Sequence, residues 1–114
     1  MDRAGIGKTC LALPGVTLDH PFGEHHDAYR IGGKMFVMVG EKGGVSFKVS
    51  DIAYEVLTEE GRAVPAPYLA RAKWVHLSDP STWPDDELAA HFAIAHSLVA
   101  AKLTKKQRAE LGLG

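Results

Sequence analysis

Residues 28 to 49 hold three short apolar stretches separated by glycine-rich breaks, and this run restricts the fold more tightly than any other part of the chain. Residues 28 to 31 read as a brief strand. Gly32-Gly33 then supplies the positive φ angles of a two-residue hairpin turn. Along residues 34 to 39 strict alternation puts Met35, Val37 and Val39 on one face and Phe36 and Met38 on the other. Apolar residues on both faces predict an interior strand. Residues 40 to 44 turn the chain again. Val45, Phe47 and Val49 alternate with Ser46, Lys48 and Ser50, which predicts a strand with one wet face. Three strands in this order make an antiparallel meander.

Helical patterns flank the meander. Ile6, Cys10 and Leu13 lie at i, i+4 and i+7, so a helix near residues 3 to 13 is expected, capped by Asp2 and ended by Pro14-Gly15. Residues 14 to 27 read as a loop, with Pro14, Gly15, Pro21 and Gly23 as breakers. Asp51 is placed to cap a second helix, with Ile52, Ala53, Val56 and Leu57 as its apolar stripe and Gly61 just past its end. Pro65 and Pro67 limit residues 62 to 72 to a short edge strand. Residues 73 to 78 form a further strand. Thr82-Trp83-Pro84-Asp85 matches a capping box that opens the longest helix, about residues 84 to 103. Leu88, Phe92, Ala95, Val99 and Leu103 line one face of it, with Ile94 and Leu98 widening the stripe. Thr104 to Gln107 is a second capping box, so a short terminal helix should reach Leu111. The predicted order is α-β-β-β-α-β-β-α-α. Strands and helices in separate runs specify an α+β fold: a two-layer sandwich whose antiparallel sheet is covered by helices on one face. With 114 residues and no linker, residues 1 to 114 are expected to form one domain.

Charge narrows the partners. Thirteen basic and fourteen acidic residues give a net charge of −1, and the isoelectric point is about 6.6. Dedicated nucleic-acid binders often exceed ~9, so any contact with DNA has to come from local clustering. No apolar run approaches the ~18 residues of a membrane span, and the first residues lack the apolar core of a signal peptide. Cys10 is the single cysteine. These features point to a cytoplasmic location with no membrane partner.

Several short motifs stand in a set order. They are Leu13-Pro14-Gly15-Val16, then Pro21-Phe22-Gly23, then Gly33-Lys34-Met35-Phe36, then Lys48 on the third strand, then Trp74. Ala101-Lys102-Leu103 and Arg108-Ala109-Glu110-Leu111 close the pattern. In this order they resemble the MmcQ/YjbR-like family of small bacterial proteins, over nearly the whole chain. The resemblance implies a fold similar to type III secretion chaperones or to the frataxin-like domain, and the DNA-binding role suggested for some members from a double-wing shape. The chain departs from many relatives in having Ala70-Arg71 where they carry Asn-Lys, and in the glycine content of its first helix.

The sequence carries few signals of catalytic chemistry. Gly7-Lys8-Thr9 has the end of a phosphate-binding loop, but Asp2 stands where the motif needs glycine and no strand precedes it. His20, His25 and His26 share a loop without the spacing of a zinc site, and His91 and His96 are five apart, which puts them on different sides of the long helix as surface residues. Cys10 falls on the apolar stripe of its helix and reads as a buried thiol. Asp85, Asp86 and Glu87 fit the first turn of a helix. No cofactor or metal is expected, and the chain reads as a non-enzymatic binding domain.

Binding rests on basic and aromatic residues. Lys34, Lys48, Arg71 and Lys73 are expected to gather on one region of the sheet and are the candidate nucleic-acid contacts. Lys102, Lys105, Lys106 and Arg108 form a second cluster, read as a helix C-terminal complement and a solvated face. Trp74 and Tyr68 have the chemistry to stack on a base; packing is the commoner use of such aromatics, and Trp74 is expected to anchor the sheet beneath a helix. The reading is weak, salt-sensitive DNA binding through the sheet and its hairpins. The alternative is a chaperone-like module that meets a protein partner through an apolar face, with a homodimer as one form of it.

Overall fold

A computed structural model of the chain describes residues 1–113. Four helices and six strands follow in the order α1 (Arg3–Leu11), β1 (Val16–Asp19), β2 (Asp27–Ile31), β3 (Lys34–Val39), β4 (Val45–Lys48), α2 (Asp51–Glu59), β5 (Val64–Pro65), β6 (Trp74–Leu77), α3 (Asp85–Ala100) and α4 (Lys105–Glu110). The strands make one antiparallel sheet in the order β1-β2-β3-β4-β6-β5. The α+β sandwich expected from the sequence is the observed architecture. Strand β1 is the addition: it lies inside the segment read as a loop and pairs Val16 with Ile31 and Asp19 with Ala28. Four residues between two Pro/Gly breaks are too few to carry a readable alternation.

The hairpin between β2 and β3 forms at Gly32-Gly33, with φ of 59° and 81°. It also sits close to a helix end: a Cβ on Gly32 would lie 2.7 Å from Leu103 Cδ2. Beyond it the register slips. Tyr29 faces Val37 but Arg30 faces Met35, which leaves Phe36 as the extra residue of a β-bulge. The bulge overturns the strict alternation expected along this strand. Phe36 turns to the helix side with Val37 and Val39, where its ring stands edge-on to His96 at 5.5 Å. Met35 is left partly exposed, as Met38 is.

The core lies between the sheet and the helices. Ile6 and Cys10 of α1, Leu57 of α2 and Leu88, Phe92, Ala95 and Val99 of α3 pack on Tyr29, Ile31, Val37, Val39, Val45, Phe47, Val75 and Leu77. Gly7 lets α1 approach the sheet, since a Cβ there would lie 2.8 Å from Tyr29 Oη. Arg3 fastens the helix to β2 by donating to Asp27 Oδ2 at 2.8 Å, to the His25 carbonyl at 3.2 Å and to the Gly40 carbonyl. His20 holds the other oxygen of Asp27 at 3.1 Å.

Helix ends follow the sequence in part. Asp2 caps α1 through the Gly5 amide at 2.8 Å, and the Thr104/Gln107 capping box forms in both directions. The cap of α2 is Ser50, one residue before Asp51. The capping box expected at Thr82 is absent: Pro80–Thr82 forms a 3-10 turn whose N-cap is Asp79, and α3 starts after Pro84 without a side-chain cap. On α2 the stripe is rotated from the expected one. Ala53, Tyr54 and Leu57 pack inward, while Ile52 is 77% exposed. His96 is buried rather than on the surface, and its Nε2 lies 2.8 Å from the Pro14 carbonyl.

Candidate functional site

The end of the sheet where β3 begins, β4 ends and β6 begins abuts the C-terminal turn of α3. A cavity of about 160 Å³ opens there, lined by Lys34, Met35, Lys48, Ala72, Trp74, Val99 and Lys102. Antiparallel pairing brings the two strand-end lysines to the same end of the sheet: Lys34 is the first residue of β3 and Lys48 the last of β4. Lys102 arrives from the turn after α3. Among the described residues none of the three has a carboxylate partner at ion-pair distance. Burial, and then the charges of Lys102 and Lys73, hold the Lys48 ammonium below its ordinary value, with Asp51 opposing. Its Nζ donates to the Ala72 carbonyl.

Of the four candidate contacts, Lys34 and Lys48 meet in this cavity. Lys73 stands just before β6 at φ 62°, close enough to Lys48 to add to its repulsion, with its ammonium 4.8 Å from the Tyr54 ring centre. Arg71 lies exposed in the 3-10 turn Ala70–Ala72, and Ala72 rather than Arg71 lines the cavity. Lys102 is the residue that sequence reasoning put elsewhere. Its position after a helix explains it locally, and only the tertiary fold carries it to the sheet.

Trp74 corrects a second expectation. It pairs with Lys48, out of phase with Val75 and Leu77, which belong to the core. Side chains alternate along a strand, so the indole faces away from the core beneath the helices. It is still only 5% exposed. Segment 66–73 closes against its backbone, with the Ala66 amide donating to the Trp74 carbonyl and the Trp74 amide to that of Leu69.

The same segment forms one wall of an apolar groove of about 470 Å³ lined by Phe22, His26, Met35, Met38, Pro67, Tyr68 and Leu69. Met35 lines both groove and lysine cavity, so the two are contiguous. Phe22 is 57% exposed and Tyr68 fully exposed, at φ 65°. Tyr68 is therefore not the packing aromatic that the sequence implied. An aromatic lodged among prolines in a turn-rich segment was the available signal.

Burial pushes the Cys10 thiol up to about 12, which keeps it protonated. Among the described residues no group of three or more His, Cys, Asp or Glu side chains is placed to hold a metal, and no helix is long and apolar enough to cross a membrane.

The arrangement has relatives. The model of the family described as YjbR matches residues 11–98. The chain belongs to the YjbR family. It is similar to the uncharacterized protein YbdF of Escherichia coli O157:H7, 30% identical over 97 residues, an alignment that covers 78% of this chain and 75% of that protein. Its fold is also that of the crystal structure of Deinococcus radiodurans protein DR2400, domain DUF419. The two share 24% identity at a TM-score of 0.84, over 96% of this chain and 86% of the other. The family match includes the β3–β4 lysines, Trp74 and the groove, and stops short of Lys102.

Proposed function

We propose that this YjbR-family protein is a non-enzymatic binding domain that holds nucleic acid at the lysine-lined end of its sheet. One observation carries the reading: Lys34, Lys48 and Lys102 surround a single cavity with no carboxylate partner among the described residues. Lys73 extends the positive ground on the β6 side. Like charges held together without a counter-ion favour an anion that can reach all of them, and phosphates along a backbone do so. With a net charge of −1 on the whole chain, binding is weak, local and largely backbone-driven. Arg71 adds only long-range charge.

The reading is tested by fluorescence anisotropy with labelled oligonucleotides, single-stranded and duplex, at low and moderate salt. Affinity should fall steeply as salt rises, because bound phosphates release counter-ions. Replacing Lys34, Lys48 and Lys102 together by alanine should abolish binding with an unchanged melt, while replacing Lys105, Lys106 and Arg108 should matter less. No detectable binding of any oligonucleotide at ~50 mM salt removes the reading. It would leave in front the protein-interaction alternative, which draws on the exposed rings of the apolar groove.

A further inference from the structure

We infer that the strand held here is single, with its bases laid in the apolar groove against Phe22 and Tyr68 and its phosphates on the adjoining lysines. This rests on the nucleic-acid reading of the lysine cavity and extends it to the neighbouring surface.

The groove and the cavity adjoin at one side chain and differ in chemistry. Met35 belongs to both. On one side lie three lysines; on the other lie Phe22, Met35, Met38, Pro67, Tyr68 and Leu69 with His26, and no Lys, Arg, Asp or Glu lines that side. A duplex uses only the first half of such a surface. Its bases are stacked inward, and what it presents to a protein is charged backbone and groove edges. Laying a duplex across the apolar half would desolvate phosphates against rings and thioethers with nothing to receive them. A single strand offers an unstacked base face and a phosphate in each repeat, which is the pairing that aromatic platforms beside basic grooves accept. A peptide of apolar residues would fill the groove but leave the lysines unmet, so charge complementarity selects the polyanion.

Tyr68 is placed for this role. It is fully exposed, in a left-handed backbone conformation (φ 65°) that projects it from the segment closing over Trp74. Among the described residues its hydroxyl makes no hydrogen bond, so no polar contact within the chain ties the ring down. Phe22 shares the groove with it, also exposed, and gives a second stacking face. Because stacking is blind to base identity, little sequence preference is expected.

The experiment compares a labelled oligothymidylate of ~12 nucleotides, its RNA counterpart and a duplex of the same length, at fixed salt. The full chain is used, with the variants Tyr68→Ala, Tyr68→Phe and Phe22→Ala. The expected result is at least ten-fold tighter binding of the single strands than of the duplex. Tyr68→Ala should weaken single-strand binding roughly ten-fold or more, as loss of one stacked base does, and Tyr68→Phe should retain it. DNA and RNA arms that differ by more than ten-fold would identify which strand the groove takes, and either is a single strand. Equal or tighter duplex binding that ignores Tyr68→Ala would overturn this inference and leave the lysine reading standing. Absence of binding in all three arms would overturn both. Tyr68 has no buried surface to lose, so a lost signal with an unchanged melt cannot be ascribed to unfolding.

Discussion

Replacing Phe47 by alanine probes the packing on which the whole site is mounted. Phe47 lies in β4, one residue before Lys48, and is fully buried. Its ring meets Trp83 at 5.9 Å, His91 at 5.8 Å and Phe92 at 5.6 Å between centres, so it joins the sheet to α3 and to the turn before it. Truncating a buried phenylalanine costs about 3–5 kcal/mol. Three aromatic neighbours, at about 0.5–1.5 kcal/mol for each well-placed pair, put this position at the upper end. At ~0.05–0.15 kcal/mol per residue, a chain of this length has roughly 6–17 kcal/mol in all. A loss of about 5 kcal/mol should lower the urea midpoint by roughly 2.5 M, taking a slope near 2 kcal/mol/M. Urea titrations followed by far-ultraviolet circular dichroism would read it. The control is Lys48→Asp, which places an anion among Lys34, Lys102 and Lys73 and should leave the midpoint within about 0.3 M or raise it. A shift below about 0.5 M for Phe47→Ala, or equal damage from both variants, would refute the assigned strand faces.

Other outcomes follow from single contacts. Gly5→Ala should stabilise the protein by somewhat less than the ~1 kcal/mol of helix propensity, because its Cβ would lie 2.9 Å from Met1 Cγ and 3.2 Å from the capping Asp2 Oδ1; Gly7→Ala should destabilise it, because the buried Tyr29 ring has no room to give. Matched denaturant titrations would read the opposite signs, and a gain at Gly7 would contradict the close approach of α1. Burial lowers the folded-state affinity of His76 and His91 for protons. The unfolded chain then binds more protons, so stability should be full above ~6.5 and decline as pH falls from there towards the folded values. Melts between pH 8 and pH 5 would test this, and His91→Gln should shrink the decline. We also expect residues 1 to 114 to melt as one domain, so unfolding followed by circular dichroism and by tryptophan fluorescence should coincide; two separated transitions would contradict it.

What the sequence conveyed depended on the length over which a pattern ran. The meander and α3 were legible because short apolar runs bounded by glycine turns mark β2 to β4 and helical periodicity persists through sixteen residues of α3. Strand β1 was hidden between Pro14-Gly15 and Pro21-Gly23. The bulge at Phe36 was invisible because one extra residue leaves composition unchanged while it reverses which side chains face the helices. That reversal brought Met35 into the groove. Lys34 was found from its place after the hairpin and Lys48 from the wet face of its strand. Lys102 was missed because its nearness to them spans the distance from a helix terminus to a sheet edge, which no local pattern encodes. His96 was misplaced for the same reason: its partner, the Pro14 carbonyl, is 82 residues away.

The most direct test of the proposed site uses the three methionines as reporters. Met35 and Met38 line the groove, and Met35 also lines the lysine cavity, whereas Met1 packs partly buried against the core. With ¹³C-methyl-labelled methionine, titration of oligothymidylate at low salt should move the Met35 and Met38 resonances together and leave Met1 in place. In the Lys34→Ala/Lys48→Ala/Lys102→Ala variant all three should stay still. A shift at Met1 alone, or no shift at Met35 and Met38 while the labelled strand is bound, would contradict binding at this face of the sheet.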